Sequence, residues 1–334
     1  MKNRLSLPCL LGAALFLCTT TTGCGDDDDF RECAPPSASS MAKLPPLLSD
    51  AGLFSDMEDE TLHDRVWLFE PRFPLWTDGA KKRRWLSIPK GTSIDTSDMD
   101  DWRFPVGTKL FKEFVRDGVR VETRILLKTG AGDADWAGSA YVWTADQKDA
   151  KLHPDGGSNM LGTPHDVPGA GQCMGCHGGR ASTILGFSAI QLAWEPTTPG
   201  AQSAADFKAK GVLPANVPET IALPGTAEDH DALGYLHANC GHCHNNSRPA
   251  SNGPRCYDPQ ENFDLSLPAN PPANVRDLPA HKTSVAENVM RPGNASNSEI
   301  VQRMSRGNPR MPALGTEVID TTGRALITDW VNSL

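Results

Sequence analysis

The sequence predicts an α+β multidomain chain, in which an antiparallel β-sandwich-like N-terminal domain precedes an α-helical domain. Two patterns predict it. Residues 71–152 alternate apolar and polar positions with period two between turn residues, whereas the last hundred residues place apolar side chains at helical spacing. The length of 334 residues agrees, because the roughly 310 residues left after an N-terminal signal exceed what one hydrophobic core usually organises.

Residues 1–23 are typical of an export signal, because Lys2 and Arg4 precede an apolar run that ends in small and hydroxyl residues. The residues before Cys24 resemble the lipobox of bacterial lipoproteins, with Thr21 where leucine is usual. The alternative is ordinary cleavage that leaves Cys24 as a thiol. The sequence therefore predicts export to the periplasm or cell surface, with lipid on Cys24 anchoring the chain to a membrane.

Residues 24–45 are predicted to be a flexible tether, because an aspartate run and a proline- and serine-rich stretch cannot bury a core. A β-rich domain is expected over residues 46–152. A short helix is predicted near its start, at residues 58–68, from apolar residues at helical spacing. The tryptophans of this domain are expected in its core rather than at a substrate site, namely Trp76, Trp85, Trp102, Trp136 and Trp143.

The dipeptide Asp117-Gly118 between two β-prone segments is the clearest strand signal. A type I′ turn requires positive φ at both central residues, and Asp-Gly is well suited to it. The dipeptide predicts a hairpin in which Arg116 pairs with Val119 and Phe114 with Val121.

The charge balance argues against a nucleic-acid partner, because 41 acidic residues outnumber 32 basic ones. Lys81-Lys82-Arg83-Arg84 is the one basic cluster, and it is expected at a solvated strand end or loop rather than at a lipid-headgroup site. No apolar run of 18 or more residues follows the signal, so no further segment is predicted to span a membrane.

The pattern Cys-x-x-Cys-His occurs twice, at residues 173–177 and 240–244. It is the covalent attachment signature of a c-type haem, since two thiols add to the porphyrin vinyl groups and the histidine ligates the iron. Half of a zinc site or a redox dithiol would share the spacing of one copy. Two copies favour two covalently bound haem c groups, one held by Cys173, Cys176 and His177 and one by Cys240, Cys243 and His244.

The other cysteines agree with an exported chain. Cys9 and Cys18 leave with the signal and Cys24 would carry lipid, so only Cys33 and Cys256 remain. In an oxidising compartment that pair suggests a disulfide, and two separate thiols are the open alternative.

Residues 227–334 are similar throughout to a small class I cytochrome c. A helix at about residues 229–238 leads into the second motif, and a last helix is expected to begin at Thr321 or Thr322 as its cap. The stripe expected to be buried on that helix consists of Ala325, Leu326, Trp330 and Val331.

The similarity to class I cytochrome c implies two terminal helices that cross beside the haem. It also implies a sixth iron ligand from a methionine followed by proline. Met311 fits, 67 residues after His244, whereas Met304 and Met290 compete from helical patterns where a core role is expected. A thioether ligand stabilises ferrous iron and raises the potential.

Further motifs are residues 74–84, 104–108, 141–143 and 146–150, with Leu185-Gly186-Phe187 and Gln191-Leu192 after the first haem motif. Together they resemble a family of exported bacterial dihaem cytochrome-c-like proteins with an N-terminal β-rich part. The resemblance covers about residues 70–334 and leaves the role of the β-rich part open.

Residues 153–226 form the first haem-binding segment. Its expected apolar wall is Ile184, Leu185, Phe187, Ile190 and Leu192. The sixth ligand of this haem stays open among His153, Met160, His165, His237 and His281.

An iron whose six coordination positions are all filled can change its oxidation state without binding a substrate. The leading hypothesis is therefore a dihaem c-type cytochrome that carries electrons between redox partner proteins in the periplasm or at a membrane surface. The alternative is a dihaem redox enzyme, peroxidase-like or an oxidase, with an open iron at the first haem. A third interpretation keeps one haem and a degenerate first motif.

Overall fold

The computed structural model describes residues 36–247, 262–307, 310–313 and 315–334. The predicted signal at 1–23, Cys24, Cys33, Cys256 and most of the tether lie outside these residues. The described residues form antiparallel sheets and several helices, which confirms the α+β class. No helix in the described part is both long and apolar enough to cross a membrane.

The β-rich part is a six-stranded antiparallel sheet in which each strand pairs with its neighbour along the chain. A separate two-stranded sheet precedes it. The strands of the small sheet are β1 (Phe54–Asp56) and β2 (Thr61–Leu62), and those of the large sheet are β3 (Val66–Phe69), β4 (Lys81–Ser87), β5 (Lys109–Arg116), β6 (Val119–Lys128), β7 (Trp136–Trp143) and β8 (Ala150–Leu152).

The helices lie mostly beyond this sheet. They are α1 (Ala38–Met41), α2 (Ala170–His177), α3 (Ala189–Leu192), α4 (Ala204–Ala209), α5 (Ala227–Asn239), α6 (Pro279–Ala286), α7 (Glu299–Ser305) and α8 (Thr321–Ser333), with 3₁₀ turns at Met160–Gly162, Val275–Asp277 and Ala295–Asn297.

The second layer on the large sheet differs from the predicted sandwich. One continuous core joins sheet residues such as Leu86 and Trp136 to Phe187, Leu233 and Trp330 of the helical segments. Because helices supply apolar side chains to this face, the sheet buries it without a second sheet of similar size.

The predicted helix at residues 58–68 is wrong. Residues 61–62 and 66–69 are strands, and Val66 and Phe69 pair with Ser87 and Arg84 of β4. Aromatic and β-branched residues suit a pleated, half-buried surface. Pairing with β4 therefore overrides a short run of helical spacing.

The hairpin at Asp117-Gly118 is confirmed, with φ of 51° and 84° at its two residues and Arg116 opposite Val119. The second predicted pair is wrong, because Phe114 lies opposite Glu122 and not Val121. A β-bulge between Phe114 and Val115 shifts the register by one residue. Such a shift exchanges the face on which every following side chain of β6 lies.

The prediction for the tryptophans is confirmed at four positions and wrong at one. Trp85, Trp102, Trp136 and Trp143 are at most 3% exposed. Trp76 is only half-buried and lines a cavity.

The two long C-terminal helices, α5 and α8, pack against each other. Asp229 forms a capping box with Thr226 at the start of α5 and accepts a hydrogen bond from the Trp330 indole of α8 at 2.9 Å. Gly323 of α8 lies so close to the Tyr235 ring that a Cβ there would overlap it.

The cap and stripe predicted for α8 need correction. Asp320 caps the helix and accepts a hydrogen bond from the Gly323 backbone N–H at 2.8 Å, so neither Thr321 nor Thr322 does. The buried stripe is Gly323, Ile327, Trp330 and Val331, whereas Ala325 is exposed and Leu326 half-buried.

Candidate functional site

A cavity of about 580 Å³ opens between the large sheet, the first Cys-x-x-Cys-His motif and the C-terminal part of the chain. The first motif ends α2, which packs on β7. Cys173, Cys176 and His177 all line the cavity. Its volume lies within the range of about 300–1,000 Å³ that is usual for ligand and cofactor sites.

A backbone hydrogen bond fixes the tautomer of the His177 ring. Its Nδ1 lies 2.8 Å from the carbonyl oxygen of Thr183 and donates to it, since a carbonyl only accepts. The lone pair is therefore on Nε2, and a hydrogen bond of this kind fixes the tautomer of metal-bound histidines. Burial lowers the pKa of His177 to about 4, so the ring is neutral at pH 7.

The apolar wall predicted for the first haem lies largely where it was expected. Ile184, Leu185, Phe187 and Ile190 line the cavity. Leu192 is 1% exposed in the core and is not among the lining residues.

The second motif forms a turn directly after α5. The backbone N–H groups of Cys243 and His244 both donate to the Cys240 carbonyl, at 3.0 and 2.9 Å. The His244 ring is buried and stacks on Phe263, with 4.4 Å between ring centroids. These ligands do not line the cavity, although His242 within the same motif does.

The two motifs lie against each other. The ligand atoms of Cys176, His242 and Cys243 are all within 4.8 Å of one another, a grouping that could also hold a metal ion. The Asn245 amide donates to the Gly179 carbonyl at 3.2 Å, and a Cβ on Gly179 would overlap the His242 carbonyl. The fold thus brings together two motifs that are 67 residues apart in the chain.

Three histidines predicted as candidate sixth ligands already use a ring nitrogen. His153 Nε2 lies 2.9 Å from the Gly156 carbonyl oxygen, and His165 Nε2 lies 2.8 Å from a Glu122 oxygen. His237 lines the cavity, but its Nδ1 accepts from the Leu267 N–H at 3.0 Å. Neutral His237 therefore carries its proton on Nε2, the nitrogen that faces away from that bond.

The remaining candidate ligands fall in different places. Met160 packs beside Val121 and Val167, and His281 is buried away from the cavity lining. Met304 and Met290 lie in the core, as expected.

The loop after Met311 borders the same cavity as His177, through Pro312, Ala313 and Gly315. The Met311 backbone N–H donates to the Arg303 carbonyl at 3.2 Å.

The basic cluster at residues 81–84 forms the first four residues of β4, so its predicted place at a strand end is confirmed. The predicted solvation holds only in part, because alternate side chains of a strand point to opposite faces. Lys81 is exposed and Arg83 binds Glu60 and Glu113, whereas Arg84 lines the cavity. If the cluster had been assigned to a strand, the period-two alternation would have predicted that Lys81 and Arg84 lie on opposite faces.

Comparisons with protein-family models, with curated proteins and with solved structures found no match to this chain. The family resemblance therefore stays a prediction.

Proposed function

We propose that the protein is a dihaem c-type cytochrome that carries single electrons between redox partner proteins outside the cytoplasm. The observation that carries this proposal is the packing of two Cys-x-x-Cys-His segments against each other beside one cavity. A bound haem supplies an iron that alternates between the ferric and ferrous states. Two haems on touching segments would lie near enough to exchange electrons.

The residues of the chain have separate roles in this proposal. Cys173 and Cys176 hold the first haem and Cys240 and Cys243 the second, while His177 and His244 are the proximal ligands. The neutral His177 ring and its bond to Thr183 support this assignment. Met311 is proposed as the sixth ligand of the second haem.

The proposal extends to the organisation of the whole chain. Residues 227–334 would be a cytochrome-c-like domain, which the packing of α5 on α8 supports. Residues 46–152 would be its β-rich partner, and residues 153–226 would carry the first haem. The export signal and the lipid on Cys24 would hold the protein at a membrane surface in the periplasm or on the cell surface.

A second candidate function is a dihaem redox enzyme, peroxidase-like or an oxidase, with an open iron at the first haem. It is favoured by His237, which lines the cavity but accepts a hydrogen bond at Nδ1 and, when neutral, carries its proton on Nε2, so that neither nitrogen offers a lone pair to iron. If no histidine reaches the first iron, a substrate could.

Haem content tests the proposal directly. We expect the full chain, expressed with a haem-attachment system, to give two haems per chain in a pyridine haemochrome assay. The double variants Cys173→Ser/Cys176→Ser and Cys240→Ser/Cys243→Ser should each lose one haem, and Cys24→Ser should keep both. A chain that purifies without haem but with bound zinc would contradict the proposal and favour a metal site at Cys176, His242 and Cys243.

Electron paramagnetic resonance separates the two candidate functions. We expect two low-spin ferric signals in the oxidised protein, because a carrier has both irons six-coordinate. A high-spin signal equal to one iron per chain would contradict the carrier and support the enzyme. The Cys240→Ser/Cys243→Ser chain assigns each signal to its haem.

A further inference from the structure

Three basic side chains stand next to one another on the cavity face of the large sheet. Arg84 of β4 pairs with Lys112 of β5, which pairs with Arg124 of β6, and all three line the cavity. Opposite residues on antiparallel strands have Cβ atoms about 4.5–5.5 Å apart, and like charges placed there destabilise a sheet. We call Arg84, Lys112 and Arg124 the cation row.

The register that builds the cation row depends on the bulge after Phe114. A regular hairpin closed at Asp117-Gly118 would place Thr123 opposite Lys112. The bulge instead places Arg124 there, on the cavity side. The fold therefore brings a third positive charge next to two others.

Among the described residues, one carboxylate forms an ion pair with the cation row. Glu122 is fully buried and accepts hydrogen bonds from Arg124 at 2.5 and 2.9 Å. The side chains of Arg84 and Lys112 form no hydrogen bond or ion pair with any described residue. Lys112 Nζ lies 4.8 Å from the centroid of the Phe114 ring, a contact weaker than a buried ion pair.

Four carboxylates near the cavity accept hydrogen bonds from backbone N–H groups, while Asp155 and Glu317 also line it. Burial lowers the pKa of Arg84 and the charge of Glu70 partly offsets this; a Glu70 oxygen accepts hydrogen bonds from the backbone N–H groups of Thr197 and Thr198, both at 2.8 Å. Three acidic residues of the cavity wall likewise bind backbone N–H groups: Asp78, Asp100 and Asp166.

Burial opposes the protonated form of both side chains, and at Lys112 the neighbouring cations add to it. Burial lowers the pKa of Arg84 to about 10. Burial, and then the charges of Arg84 and Arg124, lower the pKa of Lys112 well below its ordinary value. An anion in the cavity would relieve this cost.

We propose that Arg84 and Lys112 bind the two propionate carboxylates of the haem attached at Cys173 and Cys176. The β-rich domain is then part of the first haem site. The charges are complementary, since a haem carries two propionates and both side chains are cavity-lining cations with no ion-pair partner among the described residues. Arg180 also lines the cavity. Arg and carboxylate form strong charge-assisted hydrogen bonds. This inference rests on the proposed function, because it requires a haem on the first motif.

The test is a redox titration of the protein with both haems attached, followed by visible absorbance. Ferric haem carries one more positive charge than ferrous haem, so nearby cations disfavour the oxidised state. Arg84→Gln and Lys112→Gln should each change the equilibrium constant for reduction of the first haem about tenfold. For one electron this lowers its midpoint potential by about 59 mV. The second haem should be unchanged.

Lys81→Gln is the matched control. It removes the same charge from the same strand, but Lys81 is exposed and on the opposite face of β4 from Arg84. We expect wild-type midpoints for it. If both Arg84→Gln and Lys112→Gln also titrate like the wild type while two haems are bound, the inference is overturned and the proposed function stands. A chain with no haem at the first motif would instead overturn both.

Two further measurements cover the remaining outcomes. If Arg84→Gln does not mature, Arg84→Lys keeps the charge and should mature with two haems and nearly wild-type midpoints; failure of that variant as well would overturn the role of charge. Inorganic sulfate added to the holoprotein tests a free anion as the occupant of the same site. Saturable spectral change that Arg84→Gln abolishes would show that the cation row is open to free anions, which would overturn the propionate assignment.

Discussion

Replacing Glu122 with glutamine should lower the free energy of unfolding by about 3–5 kcal/mol. Glu122 is fully buried, and it is the only described carboxylate that forms an ion pair with Arg124. It also lies 2.8 Å from His165. The glutamine keeps the shape of the side chain but leaves Arg124 beside Lys112 with no compensating charge. Breaking a buried pair from one side is costly because the remaining charge stays desolvated.

Chemical denaturation of the holoprotein measures this effect, and Glu60→Gln is the control. Glu60 also accepts from two arginines, Arg83 and Arg120, but its side chain is 31% exposed. Such a pair contributes about 0–1 kcal/mol. If Glu122→Gln lowers the free energy of unfolding no more than Glu60→Gln does, the buried position of the Glu122–Arg124 pair is contradicted.

The difference between wild type and Glu122→Gln should depend on pH. Burial raises the pKa of Glu122, but the charge of Arg124 and the hydrogen bonds from His165 and Arg124 together lower it below the ordinary value of 4.5. A carboxyl with a lowered pKa in the folded state stabilises the fold above its unfolded pKa, and loses that contribution as pH falls through the folded value. The difference should therefore be constant above pH 4.5 and shrink below it.

The parts of the fold that depend on local chemistry could be predicted from the sequence. The Asp117-Gly118 turn needs only positive φ at two residues, so the dipeptide predicted the hairpin. The bulge after Phe114 could not be predicted in this way, because register is settled by packing across the whole sheet. The cation row could not be predicted for the same reason, because its three residues come from three strands and become neighbours only through the strand register.

In the candidate site, too, features set by local sequence could be predicted and features set by contacts between distant segments could not. Spacing alone predicted Cys173, Cys176 and His177 as a haem-attachment site, because attachment to one porphyrin requires residues that are near in sequence. The contact of Cys176 with His242 and Cys243 joins two distant segments, and no local pattern records it. The tautomers of the candidate histidines depend on backbone partners such as the Leu267 N–H, which become neighbours only after folding.

Gly323→Ala should destabilise the protein by about 1–3 kcal/mol, although alanine is the better helix former by about 1 kcal/mol. A Cβ at this position would overlap the Tyr235 ring, where α8 crosses α5. Overpacking then forces the two helices apart or the ring out of its place. Since α5 leads directly into Cys240, the same displacement should reduce occupancy of the proposed second haem more than that of the proposed first.

Thermal and chemical unfolding of Gly323→Ala and Thr322→Ala test this contact, because Thr322 is an exposed residue of the same turn. The Thr322 change should stay within about 0.5 kcal/mol of the wild type. Combining Gly323→Ala with Tyr235→Ala should cost less than the sum of the single changes, because the smaller side chain at residue 235 makes room for the new methyl group. Stabilisation by Gly323→Ala would mean that helix propensity outweighs packing, and that α5 and α8 do not cross at this glycine.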